Sequence, residues 1–113
     1  MLHAQFRAMY STPWMSDIVV GTMRWGIWDA KFTTAQYEAM IDASMSLGMS
    51  TFDHADIYGD YTTEAEFGAA LKLHPEWRSQ IELVSKCGII RVCDQKPEHY
   101  IKAYDFTKSH ILK

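Results

Sequence analysis

The run STFDHADIYGDYTTEAEFG, residues 50 to 68, passes from apolar residues to Asp53, His54, Asp56 and Tyr58 within six positions, and Lys86 follows inside LVSKCGI. Asp53, His54 and Asp56 carry atoms that bind metals. Successive strand residues point to opposite faces, however, so Asp53 and His54 do not converge while the strand lasts. His3, His74, His99 and His110 lie in loop or helix contexts and supply no second ligand set, so no metal is expected. Asp53, Tyr58 and Lys86 together suit acid/base work. A phenol, with an ordinary pKa of about 10, is a reluctant proton donor at neutral pH unless a nearby ammonium favours the phenolate. A tyrosine so assisted can protonate an oxygen as a hydride reaches the adjacent carbon. The plainer alternative is a solvated polar loop with His54 as a hydrogen-bonded structural histidine. Lys86 argues against that alternative, because a lysine in the apolar body of a strand needs a carboxylate partner. Asp53 on the neighbouring strand is the natural one.

The elements that must position these residues alternate. DIVVGTM (17 to 23) is a β-branched run ended by glycine, a strand leading into the loop RWGIWDAKF. Thr33 and Gln36 form a capping box, and Tyr37, Met40, Ile41, Ser44 and Met45 keep helical spacing. This predicts a helix over 33–47, which Gly48 ends in a left-handed conformation. MSTFDHAD supplies a second strand. Thr63 with Glu66 offers another capping box, with Phe67, Ala70 and Leu71 on one face, for a helix over 63–73 that Pro75 closes. IELVSKCGI (81 to 89) is the third strand, IRVCDQKPEHYIKAY a long loop, and Asp105 the expected cap of a last helix. Strands alternating with helices imply parallel pairing and right-handed crossovers, the α/β class. Thr22, Met23 and Arg24, then Asp53 to Tyr58, then Lys86 all follow strands, and ligands of such folds bind at the carboxyl ends of strands.

Composition narrows the partners. The chain has 113 residues, 48% of them hydrophobic, enough for one core. With 14 acidic and 11 basic residues the net charge is −3 and no basic block stands out, so neither nucleic acid nor a membrane surface is expected as a partner. No run approaches the roughly 18 apolar residues of a membrane-spanning helix, and the opening MLHAQFRAMYSTPW does not read as a signal peptide. Cys87 and Cys93, six apart, match neither a zinc pair nor a disulfide framework. A reduced, cytoplasmic protein is expected.

STFDHADIYGDYTTEAEFGAAL together with ELVSKCGI resembles the aldo/keto reductases, and among them bacterial oxidoreductases that carry DHADIYG. The family's aspartate, the tyrosine five residues on and the lysine ending the third strand fall on Asp53, Tyr58 and Lys86. Its following glutamate and glycine fall on Glu64 and Gly68. VVGTMRWG is similar to the family's first strand and loop. The resemblance covers residues 17 to 113 and implies the N-terminal part of a (β/α)₈ barrel, truncated after three strands, preceded by an extension over 1–16. It implies NADPH as cofactor, without a Rossmann domain, and a small-molecule carbonyl substrate reduced by hydride transfer. Tyr58 is then the general acid, Lys86 and Asp53 its support, and Gly21, Thr22, Met23, Arg24 and Asp53 the cofactor-binding residues. A histidine at the end of the fourth strand normally completes the set; His110 precedes that strand and does not fill the role. The resemblance therefore implies that these 113 residues alone are incomplete and inactive, and an open three-stranded sheet is expected to self-associate. The alternative function is a non-catalytic remnant that serves as an interaction or assembly module.

Overall fold

The computed structural model describes residues 14–113. The expected extension over 1–16 therefore falls outside the described residues except for its last three. Of these, Ser16 is docked: its Oγ accepts from Ser50 N and Thr51 N, and its own N–H donates to Thr51 Oγ1 at 2.8 Å.

Three short strands, β1 (Val19–Gly21), β2 (Thr51–Asp53) and β3 (Glu82–Val84), form a parallel sheet in the order β1-β2-β3. The register is direct, with Gly21 opposite Asp53 and Asp53 opposite Val84. All three strands are shorter than the apolar runs that announce them. Each is followed by the helical crossover that parallel pairing requires or by the loops of the site.

Helix α1 (Thr34–Ser46) begins where its sequence says it should. Thr33 Oγ1 accepts from Gln36 N while Gln36 Oε1 accepts from Thr33 N, which completes the capping box. Tyr37, Ile41 and Ser44 recur on its buried face. Gly48 ends it at φ +79°, a conformation that costs a residue with a Cβ.

Helix α2 (Thr63–Leu73) spans the expected residues but lacks the expected capping box. Thr63 is its first residue and faces inward, so its hydroxyl caps nothing. Glu66 accepts instead from the Tyr37 hydroxyl at 2.7 Å. Burial first, and then that carboxylate, hold the Tyr37 phenol well above its ordinary pKa. A 3₁₀ turn, Pro75–Ser79, leads from α2 to β3.

Val20 and Phe52 carry the sheet's apolar face onto the two helices, where they meet Tyr37, Ile41, Phe67 and Ala70. Trp25 is the hub, with ring centroids 5.6 Å from Tyr37 and 6.3 Å from both Phe52 and Phe67. Ile89, expected to end the third strand, and the stretch expected to be a plain loop form instead a small antiparallel sheet, β4 (Ile89–Ile90) with β5 (Ala103–Tyr104), and a β-bridge between Cys93 and Lys96. Thr107, and not Asp105, caps the last helix, α3 (Lys108–Ile111), and the Asp105 carboxylate accepts from Thr107 N. Among the described residues no helix is long and apolar enough to cross a membrane.

Phe52 is fully buried, whereas Leu83, its partner in the sheet register, stays 38% exposed. Phe52→Ala is therefore expected to cost about 3–5 kcal/mol of stability and Leu83→Ala less than about 1 kcal/mol. Urea midpoints of the two variants measure the contrast, and equal losses would show that the core is not centred on Phe52.

Candidate active site

The strand pairing runs past the formal strand ends and places the polar residues. Thr22 N donates to Asp53 O at 3.1 Å, His54 N to Val84 O at 2.7 Å and Asp56 N to Lys86 O at 3.0 Å. Lys86 therefore follows β3 and does not lie within it. Its side chain is 51% exposed, so the expectation of a lysine buried in a strand body is corrected. Gly88, at φ +117°, turns the chain soon after.

The exposed lysine is nonetheless tightly held. Lys86 Nζ donates to Asp53 Oδ1 at 2.7 Å, to Asp53 Oδ2 at 2.8 Å and to the His54 carbonyl at 2.7 Å. An ammonium has three N–H groups, and Asp53 and His54 offer three acceptors for them. The same nitrogen sits 5.4 Å from the centre of the Tyr58 ring. Burial works against the Lys86 charge, but the Asp53 hydrogen bond, the Asp53 charge and the Tyr58 phenol outweigh it and raise the Lys86 pKa. The structure thus brings Asp53, Tyr58 and Lys86 together at the carboxyl end of the sheet.

His54 points the other way. It is 4% exposed, and its ring packs edge-on against Phe67 at 4.5 Å. Thr22 Oγ1 lies 3.0 Å from the Asp53 carbonyl and 3.0 Å from His54 Nδ1. One hydroxyl hydrogen can serve only the carbonyl, so the network assigns the proton of the imidazole to Nδ1. Nε2 is left buried without a partner among the described residues. Burial, the largest influence, lowers the His54 pKa.

Thr22, itself fully buried, therefore fastens β1 to β2 from within. Gly21, Met23 and Arg24 are exposed at the same end of β1, and no atom lies within 4 Å of where a Gly21 Cβ would be. Arg24 pairs with Asp29 at 2.9 Å. Burial raises the pKa of Asp56, which stands beside a cleft of about 200 Å³ lined also by Ala55, Ile57, Tyr58, Lys86 and Ile89. Among the described residues no three His, Cys, Asp or Glu side chains are grouped to hold a metal ion.

Tyr58 opens a tight turn, Tyr58–Tyr61, in which Gly59, Asp60 and Tyr61 take φ values of 61°, 53° and 69°. Left-handed backbone is costly for Asp60 and Tyr61, so outside contacts must hold it. Asp60 Oδ1 accepts from Trp28 Nε1 at 3.0 Å and from Arg91 Nε at 2.6 Å. The Tyr61 hydroxyl donates to Ile89 O at 3.1 Å and accepts from Arg91 N at 3.0 Å. The Arg91 guanidinium covers the Trp28 ring at 4.8 Å, and Trp28 meets Tyr58 edge-on at 6.0 Å. Trp28, Asp60 and Arg91 are the residues that sequence reasoning missed. They come from three loops, and no local spacing links them.

The Aldo/keto reductase family model matches residues 17–113. The chain is 43% identical over 97 residues to the uncharacterized oxidoreductase YcsN of Bacillus subtilis, and equally to the 6-dehydroglucose reductase of Agrobacterium fabrum. It is 42% identical over 101 residues to the oxidoreductase YdhF of Escherichia coli. These alignments cover 86–89% of the chain, which spans about a third of the length of these curated relatives. A crystal structure of a Pseudomonas aeruginosa protein bearing the aldo-keto reductase name superposes with a TM-score of 0.62 at 24% identity. That likeness covers 81% of this chain and 32% of the other, and it establishes the fold.

The buried His54 should leave a mark on stability. Its pKa lies below the ordinary imidazole value of about 6.5, so the unfolded chain binds the extra proton first as pH falls. Its contribution is full above about pH 6.5 and is lost as pH drops through the depressed value. Urea midpoints measured downward from pH 8 are expected to fall in that window. His54→Asn, whose amide replaces Nδ1–H, should flatten the decline; an unchanged slope would assign it to other groups.

Proposed function

This chain belongs to the aldo/keto reductase family, and on that premise we propose that it provides the proton-donating side of an NADPH-dependent carbonyl reductase. The observation that carries the reading is the Lys86 ammonium, gripped by both oxygens of Asp53 and lying beside the Tyr58 ring. Tyr58 delivers its hydroxyl proton to the carbonyl oxygen of the substrate. Negative charge then develops on the phenolic oxygen, and a fixed ammonium stabilises it without having to reorganise. Asp53 keeps Lys86 charged and in place.

NADPH, when bound, supplies the hydride. Gly21, Met23 and Arg24 border open space beside Asp53 and suit its nicotinamide end, whereas Thr22 supports them from beneath. The substrate class is an aldehyde or ketone, in keeping with relatives named as oxidoreductases and as a 6-dehydroglucose reductase. The two free thiols accord with a cytoplasmic site of action.

A second reading, a non-catalytic interaction module, draws on the arm that carries β5. Tyr100, Ile101, Tyr104 and Phe106 there are each at least 62% exposed, and the same surface would drive self-association.

Grafting residues 17–113 into YdhF in place of the matching third tests the enzymatic reading. The graft should oxidise NADPH with 4-nitrobenzaldehyde. Tyr58→Phe is expected to lower kcat by about 10² to 10⁴ while changing NADPH affinity by less than about twofold. Lys86→Met should also lower kcat. The 113-residue chain alone should show no turnover. A Tyr58→Phe graft as fast as its parent would remove Tyr58 from the role of acid.

A further inference from the structure

Arg91 is fixed more firmly than the fold requires, and in a particular orientation. Its backbone N–H donates to the Tyr61 hydroxyl, and its carbonyl lies 3.0 Å from His99 Nδ1. Its Nε donates to Asp60 Oδ1, and its guanidinium lies over the Trp28 ring, 4.8 Å from the ring centre. Latching the loop to Asp60 needs only the Nε contact. The side chain remains 43% exposed, and its two η nitrogens meet no acceptor among the described residues. A guanidinium held at Nε and seated over an aromatic ring presents its remaining N–H groups as a rigid fork, the geometry that suits carboxylate and phosphate oxygens. Much of the ordering cost of binding is already met, because the rotamer is set before a ligand arrives.

The position of this fork gives it a purpose. Trp28 carries the Arg91 guanidinium over its ring and meets the Tyr58 ring in an edge-type contact at 6.0 Å. The indole therefore runs from the proposed proton donor to the fork. We infer that Arg91 is a specificity-determining residue, reading an anionic group, a carboxylate or a phosphate, at the end of the substrate remote from its reacting carbonyl. Trp28 is the platform between the two ends, and Asp60 is the positioning residue that aims the fork. Asp60 also offsets the arginine's charge at long range, so recognition depends on short, directed hydrogen bonds more than on attraction from a distance.

The inference rests on the reading of Tyr58 as proton donor only for which end of the substrate meets Arg91. Its test uses binding without turnover, so the two can fail separately. In ¹⁵N–¹H spectra of the 113-residue chain, the Arg91 Nε–H and Trp28 Nε1–H signals are followed during titration with three probes. Benzoate and phenyl phosphate carry the two anionic groups, and nitrobenzene is the neutral, planar counterpart of benzoate. A saturable shift of both signals with at least one anion, in the millimolar range, is expected, and the tighter anion identifies the group read. Arg91→Met should abolish the Trp28 shift. Arg91→Lys, which keeps a cation for Asp60 but lacks the fork, should weaken binding about tenfold. No saturable shift up to about 50 mM would overturn the inference. So would an equal response to nitrobenzene, or undiminished binding by either variant.

Discussion

The site depends on three parallel strands that stop at the same height. The direct register of Gly21, Asp53 and Val84 means that whatever follows each strand emerges at one level. Three backbone hydrogen bonds then carry the pairing a step further, through Thr22, His54 and Asp56. This geometry makes a lysine 33 positions away in sequence a neighbour of Asp53. A one-residue slip of β3 would invert its faces and carry Lys86 out of reach. The burial of Phe52 resists such a slip by fixing which face of β2 meets the helices.

Adjacent residues at the end of β2 divide the labour. Asp53 is turned to the open side and grips Lys86, while His54 is turned inward and bonds Thr22. The His54 carbonyl nevertheless completes the lysine's set of acceptors. The inward residue thus supports the outward one through its backbone. A half-exposed ion pair contributes little to stability by itself, so the value of Asp53 and Lys86 lies in placing a charge beside Tyr58.

How legible this was depended on how local each determinant is. Thr33 and Gln36 satisfy each other within one turn, and the start of α1 could be read from their spacing alone. Thr63 and Glu66 have the same spacing, yet tertiary contacts override it: Thr63 turns inward and Glu66 is claimed by Tyr37. Asp53, Tyr58 and Lys86 could be found because strand alternation and the order of the elements bring them to one end. Lys86 was expected inside β3 because an apolar run does not reveal where its strand stops. β4 and β5 span two residues each, too short for any periodicity to register. Arg91 and Trp28 are brought into contact by a shared bond to Asp60, a residue whose left-handed backbone carries no reliable signature in its sequence.

The single oxygen of Asp60 that receives both Trp28 and Arg91 also constrains how such a protein can vary. The loops that carry these three residues lie before α1, before α2 and after β3, and each could otherwise change length and composition at small cost. Joined at one atom, they are no longer independent. A change that suits one loop shifts the acceptor on which another relies, so the effects of substitutions at Trp28, Asp60 and Arg91 should not add. Lineages that alter one of the three are then held to correlated changes in the others. Recombining loops between relatives will succeed when all three are exchanged as a set.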